Sequence, residues 1–415
     1  MAPGRPRRPS SSSSYSPSNG VRRTYLRRPS SEPTMSSYRG LPEHLYQAYE
    51  RLPEHLTAPN HPLLIEAESG HELTFTRFRS LAAVLATNML SRLGVSVGDT
   101  VAIYSTPNID TLVVSAAAWI VGVSVFVIPP ETNAEGLRSS ITQLHTLRTL
   151  FVTQALLPTV AQAFAHRQPS LYQHPVVVAI DATAQALTPP ANFALQDLYA
   201  LQSDEMPLER DPFTQNEAQD HTAVIYSIFA RNDVGQETSA DMTHLSHDAV
   251  INLYNEANLQ TLAPSSLLEN RPLPLAYSVL RLHYAYHLHR IILDIFRRGG
   301  NYLVASAFDP AEFLALVHRY QLEHAELTTA ELERLIAYLS THNLDRRQVR
   351  PSNSRPPGPL RGLSTAEMLG SLRFIYTASI TPELVQSLEE LLPRVELVRA
   401  RYGSYLDPAD QRHRI

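Results

Sequence analysis

LTFTRFRSLAAVLATNMLSRLGVSVGDTVAIYSTPN, at residues 73–108, and GVSVFVIPPETNAEGL, at residues 122–137, carry the strongest structural pattern in this chain of 415 residues. The first segment predicts a helix that is capped by Thr76 and runs to about Leu93, because apolar residues recur at helical spacing. Gly94 is the expected helix stop. The apolar face of this helix consists of Phe78, Leu81, Ala82, Leu85 and Met89.

After this helix, short apolar runs alternate with helical patterns. We predict strands at Val101–Tyr104, Val123–Ile128 and Leu150–Val152, and helices at residues 110–121 and 135–148. Strands that alternate with helices favour a parallel sheet with helical crossovers. The predicted fold class is therefore α/β, with parallel-sheet subdomains flanked by helices.

The motif LPEHL occurs twice before this region, at Leu41–Leu45 and Leu52–Leu56. Apolar residues spaced as on one helix face predict a helix here, and Pro53 should end it. Short strands are expected at Leu63–Ala67 and Leu73–Phe75, on either side of a turn.

Composition excludes several kinds of chemistry. The chain has no Cys, and all 35 of its basic Lys or Arg residues are Arg. This excludes thiolate ligands, Schiff-base lysines and P-loop lysines. No uninterrupted apolar run approaches the roughly 20 residues of a membrane helix, so the sequence predicts a soluble protein without a membrane span.

Residues 1–39 differ in charge from the rest of the chain. They carry eight Arg against the single acid Glu32, or +7, and because the whole chain carries −5, the remainder carries −12. Such a segment, rich in Pro, Ser and Arg, buries too little apolar surface to fold, so residues 1–40 are predicted to be a disordered tail.

Several roles stay open for this tail. RRPSS occurs at residues 7–11 and 27–31, and Ser10 and Ser30 match the target pattern of kinases that prefer basic substrates. An Arg-rich and acid-poor start also suggests a mitochondrial transit peptide, although its prolines disfavour the amphipathic helix of such signals; a cytoplasmic location is preferred. Nucleic-acid binding is not favoured, and the tail could also lack a dedicated partner.

The order of the motifs from Leu73 to Thr153 resembles the N-terminal part of the acyl-adenylating superfamily, which includes acyl-CoA synthetases, 4-coumarate-CoA-ligase-like enzymes and luciferases. In that family a helix, a Gly-Val-x-x-Gly-Asp-x-Val-Ala strand, a Pro-Asn turn and a Gly-Ala-Val strand follow one another. Two later segments resemble it as well, Phe308–Leu327 and LGSLRFIYTASITPELVQSLEELLPRVELVRARYG at residues 369–403. The resemblance covers about residues 60–403.

This resemblance implies ATP-dependent activation of a carboxylic acid to an acyl-adenylate and transfer of the acyl group to coenzyme A. ATP, Mg²⁺ and CoA are the implied cofactors where that activity survives. Relatives hold the ATP phosphates in a Ser/Thr/Gly-rich loop that ends in Pro-Lys-Gly, just before a Thr-His pair. The pair is Thr243-His244 here, but the preceding residues 227–241, SIFARNDVGQETSAD, contain one Gly, Gly235, and no Lys.

We predict that residues 227–241 form a degenerate, solvated loop that binds phosphate poorly. A phosphate cradle needs accessible backbone N–H groups and a cation. This stretch sets Asp233, Glu237 and Asp241 against the lone Arg231. Unit charges ~4 Å apart near a protein surface interact by about 4 kcal/mol, so acids that close would repel a triphosphate unless Mg²⁺ bridged them.

Other segments of this chain also differ from the resembled family at positions where relatives contact the ligands. Leu275 or Tyr277 stands where relatives have a His, and residues 376–379, Tyr-Thr-Ala-Ser, replace a Gly-rich turn against adenine. Tyr405-Leu406 replaces the Thr-Glu pair whose Glu holds magnesium. No catalytic residue and no metal ligand is assigned. The positions that match the family's nucleotide site are Gly235, Thr243, His244, Tyr402 and Gly403.

Some further polar groups have plain structural explanations. His283 and His287 lie one helical turn apart, as metal ligands can, but a solvated polar face explains them better. His244 and His247 beside Asp248 are likewise a weak signal, and Ser246 lacks the Gly-x-Ser-x-Gly elbow of a nucleophile. The Arg-rich residues 343–362 are typical of a surface insertion.

The expected organisation is a tail at residues 1–40 and a partial large domain of the resembled family at residues 41–415. The remainder of that domain and the C-terminal lid, which carries the adenylation Lys in relatives, are expected to be absent. We hypothesise a catalytically inactive relative, with an acyl or carboxylate small molecule as its candidate ligand near Tyr277–Tyr286. The alternatives are an active ligase that another chain completes, and an interaction protein that works through its Arg-rich tail.

Overall fold

The computed structural model describes part of the chain. The described residues are 40–53, 57, 60–165, 175–181, 195–203, 221–231, 237–256, 275–281, 295–296, 299–341, 368–377 and 381–399. All of them belong to one compact unit, residues 35–415. Within these residues, no helix combines the length and the apolar character needed to cross a bilayer.

The first half of this unit contains helices and strands that build most of one sheet. They are α1 (Leu41–Glu50), β1 (Pro62–Glu66), β2 (Glu72–Thr74), α2 (Phe75–Ser91), β3 (Thr100–Tyr104), α3 (Asp110–Val121), β4 (Ser124–Ile128), α4 (Ala134–Gln143), β5 (Leu147–Val152), α5 (Leu157–Phe164), β6 (Val176–Ala179), β7 (Leu195–Asp197) and α6 (Leu198–Ser203).

The second half completes that sheet and builds most of another. Its elements are β8 (Thr222–Arg231), β9 (Glu237–Ser246), α7 (His247–Glu256), β10 (Ala276–Val279), β11 (Tyr302–Ala305), α8 (Pro310–Tyr320), β12 (His324–Glu326), α9 (Thr329–Thr341), β13 (Phe374–Thr377), α10 (Pro382–Leu391) and β14 (Glu396–Arg399).

The strands form two sheets of seven strands each among the described residues. Sheet I has the order β7-β6-β5-β3-β4-β8-β9, and sheet II has the order β14-β13-β12-β10-β11-β1-β2. The neighbours pair in parallel, apart from the antiparallel pairs β1–β2 and β8–β9 at the sheet edges. The predicted α/β class with parallel sheets is thus confirmed.

Three apolar clusters make these sheets and helices a layered structure. One cluster lies between the sheets and contains α2, α3 and residues of both sheets. The second packs α4 and α5 on the other face of sheet I, and the third packs α8, α9 and α10 on the other face of sheet II. In open α/β sheets that helices cover on both faces, ligands bind beside the carboxyl ends of the strands. A ligand site is therefore expected at those ends.

Helix α3 follows directly from its sequence. Eleven of its twelve residues are buried, and a helix that is apolar on every side is stable only inside a protein. Gly122 ends it in the left-handed conformation, at φ 84°, where Gly carries no side-chain penalty. The predicted range 110–121 is confirmed to the residue.

Two predicted helix boundaries are wrong. Thr74, not Thr76, caps α2, because its side-chain oxygen accepts the backbone N–H of Arg77 at 3.3 Å. The helix predicted at 135–148 ends at Gln143 instead. The following Thr146 joins the sheet, since its carbonyl accepts the N–H of Thr100 at 2.9 Å.

The stretch 227–241, predicted as a loop, is mainly strand. Residues up to Arg231 belong to β8 and residues from Glu237 belong to β9, and the two strands pair as an antiparallel hairpin. Ile228, Phe229 and Ala230 continue the apolar run of the strand, and residues of this kind fit a paired strand. The connecting residues 232–236, which include Gly235, lie outside the described residues.

Candidate functional site

The β8–β9 hairpin is fixed to sheet I at its base. The indole N–H of Trp119 donates to the carbonyl of Ala223 at 3.0 Å, and the hydroxyl of Ser124 donates to the carbonyl of Thr222 at 2.8 Å. Both donors are buried. The start of β8 therefore has a defined position relative to α3 and β4.

The distal half of the hairpin commits its backbone to strand pairing. Ile228 pairs with Asp241, Ala230 with Thr238, and Arg231 with Glu237. In an antiparallel ladder the N–H groups point sideways within the sheet, alternately to either edge. Phosphate cradles need successive N–H groups that converge on one anion, as they do in a nest or at a helix N-terminus. These paired residues cannot form such a cradle.

The Thr-His pair lies on the second strand of the hairpin. Thr243 is half-buried opposite Tyr226, and His244 is exposed opposite Ile225. Adjacent strand residues point to opposite faces of a sheet, so these two side chains do not face one ligand together. Of the five predicted nucleotide positions, only these two are described, because Gly235, Tyr402 and Gly403 lie outside the described residues.

Ser246 and His247 have structural roles. The hydroxyl of Ser246 accepts the N–H of Ala249 at 3.1 Å, which caps the start of α7. His247 is fully buried, and its Nδ1 accepts the N–H of Leu41 at 3.2 Å. Neither residue is placed as a nucleophile or a base.

Tyr277, one of the two residues predicted to stand where relatives have a His, points into the core. Its ring packs edge-on against Phe313, with centroids 4.9 Å apart, and also contacts Phe308. Burial raises the pKa of the Tyr277 hydroxyl, and the nearby charge of Glu331 raises it further, so the hydroxyl stays protonated. Leu275 is half-buried beside the same core, and residues 282–286 lie outside the described residues.

Polar side chains at the carboxyl edge of sheet II satisfy one another. Ser278, on β10, donates its hydroxyl to the Glu326 carboxylate on β12 at 2.9 Å, and these residues are 0% and 5% exposed. The hydroxyl and the backbone N–H of Ser306 both contact the Glu68 carboxylate, at 2.6 and 2.7 Å. Each contact joins the ends of two different strands, which stabilises this edge.

A buried ion pair closes the same edge. Arg281 Nη2 lies 2.6 Å from Glu331 Oε1, and the side chains are 23% and 4% exposed. Glu331 also accepts the N–H of Thr328 at 2.8 Å, while its own N–H donates to the Thr328 hydroxyl. Thr328 and Glu331 thus form a capping box, and the Thr-x-x-Glu spacing would have revealed it in the sequence. The pairing with Arg281, fifty positions earlier, has no sequence signal.

Part of the segment that replaces the adenine turn is described. Tyr376 is buried, and its hydroxyl lies 3.0 Å from Nδ1 of His324 on the neighbouring strand. Thr377 is buried at the end of β13. Ala378 and Ser379 lie outside the described residues, so their relation to a nucleotide stays a prediction.

At the carboxyl edge of sheet I, unlike that of sheet II, several carboxylates lie near one another. Asp110 begins α3 near Glu66 of sheet II and near Asp181, which follows β6. Burial raises the pKa of Asp110 to about 6, and the charges of Glu66 and Asp181 act in the same direction. Partial burial raises the pKa of the Tyr199 hydroxyl, and the charges of Asp110, Glu66 and Asp181 act in the same direction. No sequence pattern predicts this cluster, because its members come from separate elements.

Metal binding has no structural support in the described part of the chain. No three His, Asp or Glu side chains there are arranged to hold an ion. His283 and His287 lie outside the described residues, as do Ser10, Ser30 and the Arg-rich residues 343–362.

Comparison with known proteins places the fold. No protein-family profile matches this chain. No curated protein matches it by sequence either. Solved structures do match. The luciferase-like enzyme of the nonluminescent mealworm Zophobas morio superposes with a TM-score of 0.63 at 13% identity, over 90% of this chain and 76% of that chain.

Two further solved structures extend the comparison. The N-terminal domain of FACL13 from Mycobacterium tuberculosis has a TM-score of 0.58 at 15% identity, over 88% of this chain and 76% of that chain. A long-chain-fatty-acid-CoA ligase from Archaeoglobus fulgidus has a TM-score of 0.62 at 15% identity, over 88% of this chain and 64% of that chain.

These superpositions show the fold: the chain is folded like the luciferase-like enzyme and the long-chain-fatty-acid-CoA ligase. More closely, it has the fold of the N-terminal domain of such enzymes, with two mostly parallel sheets between helical layers. The resemblance predicted from the motif order is confirmed at the level of the fold.

Proposed function

We propose that this chain descends from enzymes that activate carboxylic acids as acyl-adenylates for transfer to coenzyme A, and that it does not form adenylates itself. The observation that carries this proposal is the β8–β9 hairpin. Ten residues of the stretch 227–241, at the place of the family's phosphate loop, belong to β8 and β9, and seven of them are partners in the antiparallel register, which shifts between Ile228 and Ala230. The N–H groups of the paired residues are held within a ladder, and the chain offers no Lys to replace the family's phosphate-binding cation.

The residues present do not fit ATP and Mg²⁺ in the manner of the family. The stretch 227–241 holds three acids and one Arg, and Tyr405-Leu406 stands where relatives carry the magnesium-binding Glu. A carboxylate near a triphosphate is repulsive unless a cation lies between them. We therefore assign no reaction step to ATP, Mg²⁺ or CoA in this chain.

Exchange of labelled pyrophosphate into ATP tests this proposal, because the exchange requires reversible adenylate formation. The full chain should give no exchange above the background without protein, across a panel of short-chain, long-chain and aromatic carboxylic acids. An acyl-CoA ligase measured in parallel provides the positive control. Exchange that depends on both the chain and one of the acids would overturn the proposal.

An active ligase completed by another chain is the second candidate. The chain contains no Lys, so in this candidate a partner chain supplies the adenylation Lys of the family. Purifying the chain from its native source and repeating the exchange assay separates the candidates, because activity present only in the native complex would support completion in trans.

A role for the tail is the third candidate, and the two RRPSS repeats support it. Phosphates on Ser10 and Ser30 would each add about −1.5 to −2 charge and so cancel about half of the +7 of residues 1–39. Deletion of residues 1–39 should then change the binding partners or the location of the protein. Unchanged partners and location would contradict this role.

A further inference from the structure

A buried histidine, His247, accepts a hydrogen bond from the N-terminus of the first helix. α1 begins at Leu41, and the preceding Gly40 offers no side-chain cap for its N–H groups. The N–H of Leu41 instead donates to Nδ1 of His247, 206 positions later, at 3.2 Å. His247 begins α7, and its own N–H donates to the carbonyl of His221 at 3.2 Å. This buried imidazole therefore joins α1 to the region after β9.

The hydrogen bond sets the protonation state of the ring. Nδ1 can accept the N–H of Leu41 only without a proton of its own, so His247 must be neutral with its hydrogen on Nε2. With a proton on Nδ1, the ring nitrogen and the Leu41 N–H would both be donors, so no hydrogen bond could form between them. It would also put a positive charge at a residue that is 0% exposed, which is unfavourable without a nearby anion.

The surroundings of His247 oppose its charged form. Burial lowers the pKa of His247 to about 4, and the charge of His221 lowers it further. The elements packed against α7 carry both acidic and basic residues, and α7 itself carries Asp248 and Glu256. They are Glu43, His44 and Glu50 on α1, Arg231 on β8, and Glu237, Asp241 and His244 on β9.

We propose that the His247–Leu41 hydrogen bond is an acid-sensitive contact that holds α1 against α7 at neutral pH and releases α1 first when the pH falls. The proposal is independent of the missing adenylation activity. It predicts local opening because α1 lies at the start of the folded unit. Other contacts of α1 include aromatic ones, in which Tyr46 and Tyr49 meet Phe75 and Phe296, and an exposed ion pair between Glu50 and Arg79 of α2 at 2.8 Å. The aromatic contacts do not titrate in this range.

The pH range follows from linkage. In the opened form His247 meets water and regains an ordinary pKa near 6.5, whereas in the closed form it stays neutral until about pH 4. The opened form thus binds more protons between these values. The stabilising contribution is complete above pH 6.5 and is lost as the pH falls toward 4. The equilibrium for opening should rise about thirtyfold between pH 7.5 and pH 5.

Amide hydrogen exchange on the full chain tests this inference. The amides of Leu45–Glu50 in α1 are compared with those of Leu314–Tyr320 in α8, after correction for the intrinsic pH dependence of exchange. The opening constant of α1 should rise about thirtyfold from pH 7.5 to pH 5, with no comparable change in α8. A constant opening of α1, or an equal rise in both helices, would overturn the proposal.

The substitution His247→Asn supplies the matched variant. The Asn side-chain oxygen can take the place of Nδ1 as the acceptor for Leu41, but it does not titrate. The opening of α1 in this variant should be independent of pH over the same range. His61→Asn, at a half-buried histidine that contacts Asn301, is the control and should keep the wild-type pH response. If the opening constant of α1 still rises thirtyfold in His247→Asn, the assignment to His247 is refuted. If this variant does not fold, the comparison of α1 with α8 in the wild type decides the question.

Discussion

The β3–α3–β4 unit and the β8–β9 hairpin lie side by side in sheet I, yet they differ in what they share with the enzymes of this fold. The first unit keeps the family's motif order, and its apolar residues form α3 where expected. The hairpin carries the Thr-His pair and pairs as strands in the stretch to which the proposed function assigns the degenerate phosphate loop. Burial of apolar surface maintains a fold without any site residue, so the first unit can persist whether or not the hairpin binds phosphate.

Trp119 connects these two regions, and its substitution should have the largest effect. Trp119→Ala removes a buried side chain between α3 and β8, which should lower the free energy of unfolding by about 3–5 kcal/mol. Trp119→Phe keeps most of the apolar volume and removes the hydrogen bond to the Ala223 carbonyl, so it should cost about 1–2 kcal/mol. Urea unfolding followed by circular dichroism measures both. Wild-type stability for Trp119→Phe would mean that this hydrogen bond does not hold the hairpin.

Breaking the Arg281–Glu331 ion pair at the edge of sheet II should have the next largest effect on stability. Arg281→Met leaves Glu331 buried and charged without its partner, which should cost about 3 kcal/mol. Adding Glu331→Gln should recover part of that loss, because Gln keeps the contact with Thr328 and carries no charge. The two variants are compared by urea unfolding at neutral pH. A loss below about 0.5 kcal/mol for Arg281→Met would show that the pair behaves as an exposed one.

The acid cluster beside α3 should respond to pH in the opposite direction from His247. Asp110 has a pKa raised from 3.8 to about 6, so the folded protein keeps a proton that the unfolded chain has lost. Its contribution to stability therefore falls as the pH rises from about 4 to 6. Asp110→Asn cannot ionise, and it should exceed the wild type in stability by about 2 kcal/mol at pH 7 and by little at pH 4.

A matched control for Asp110 is available at another helix start. Asp309 caps α8 by accepting the N–H of Glu312 at 2.9 Å, and Asn caps helices about as well as Asp. Asp309→Asn should therefore change the free energy of unfolding by less than about 0.5 kcal/mol at pH 7. If the difference between Asp110→Asn and the wild type is the same at pH 4 and pH 7, burial and the neighbouring carboxylates do not raise the pKa of Asp110 as described.

Substitutions in the Thr243-His244 pair should have the smallest effect on stability. His244 is exposed and Thr243 is half-buried, so His244→Ala and Thr243→Val should each change the free energy of unfolding by less than about 0.5 kcal/mol. Neither should alter the response of the protein to Mg²⁺-ATP. A larger loss of stability for either variant, or a ligand effect that disappears with it, would show that the pair retains a role at the hairpin.

The sequence predicts the two regions to different extents for physical reasons. α3 is apolar throughout and ends at a Gly, so local pattern alone determines it. The strands of the hairpin depend on pairing with each other and on the base fixed by Trp119, and such contacts lie outside any short window. Arg281 with Glu331, and Leu41 with His247, join residues far apart in the chain. The capping box of Thr328 and Glu331 is local and was open to prediction.

Thermal unfolding with and without Mg²⁺-ATP tests the central claim, that the chain keeps the fold and lacks the nucleotide site. Trp119 is the single tryptophan and is buried at the base of the hairpin, so its fluorescence reports on both the fold and the candidate site. A ligand at 100 times its dissociation constant would add about 2.7 kcal/mol to the stability. The account predicts one cooperative transition that Mg²⁺-ATP does not shift relative to Mg²⁺ alone, and an upward shift that saturates with ATP would contradict it.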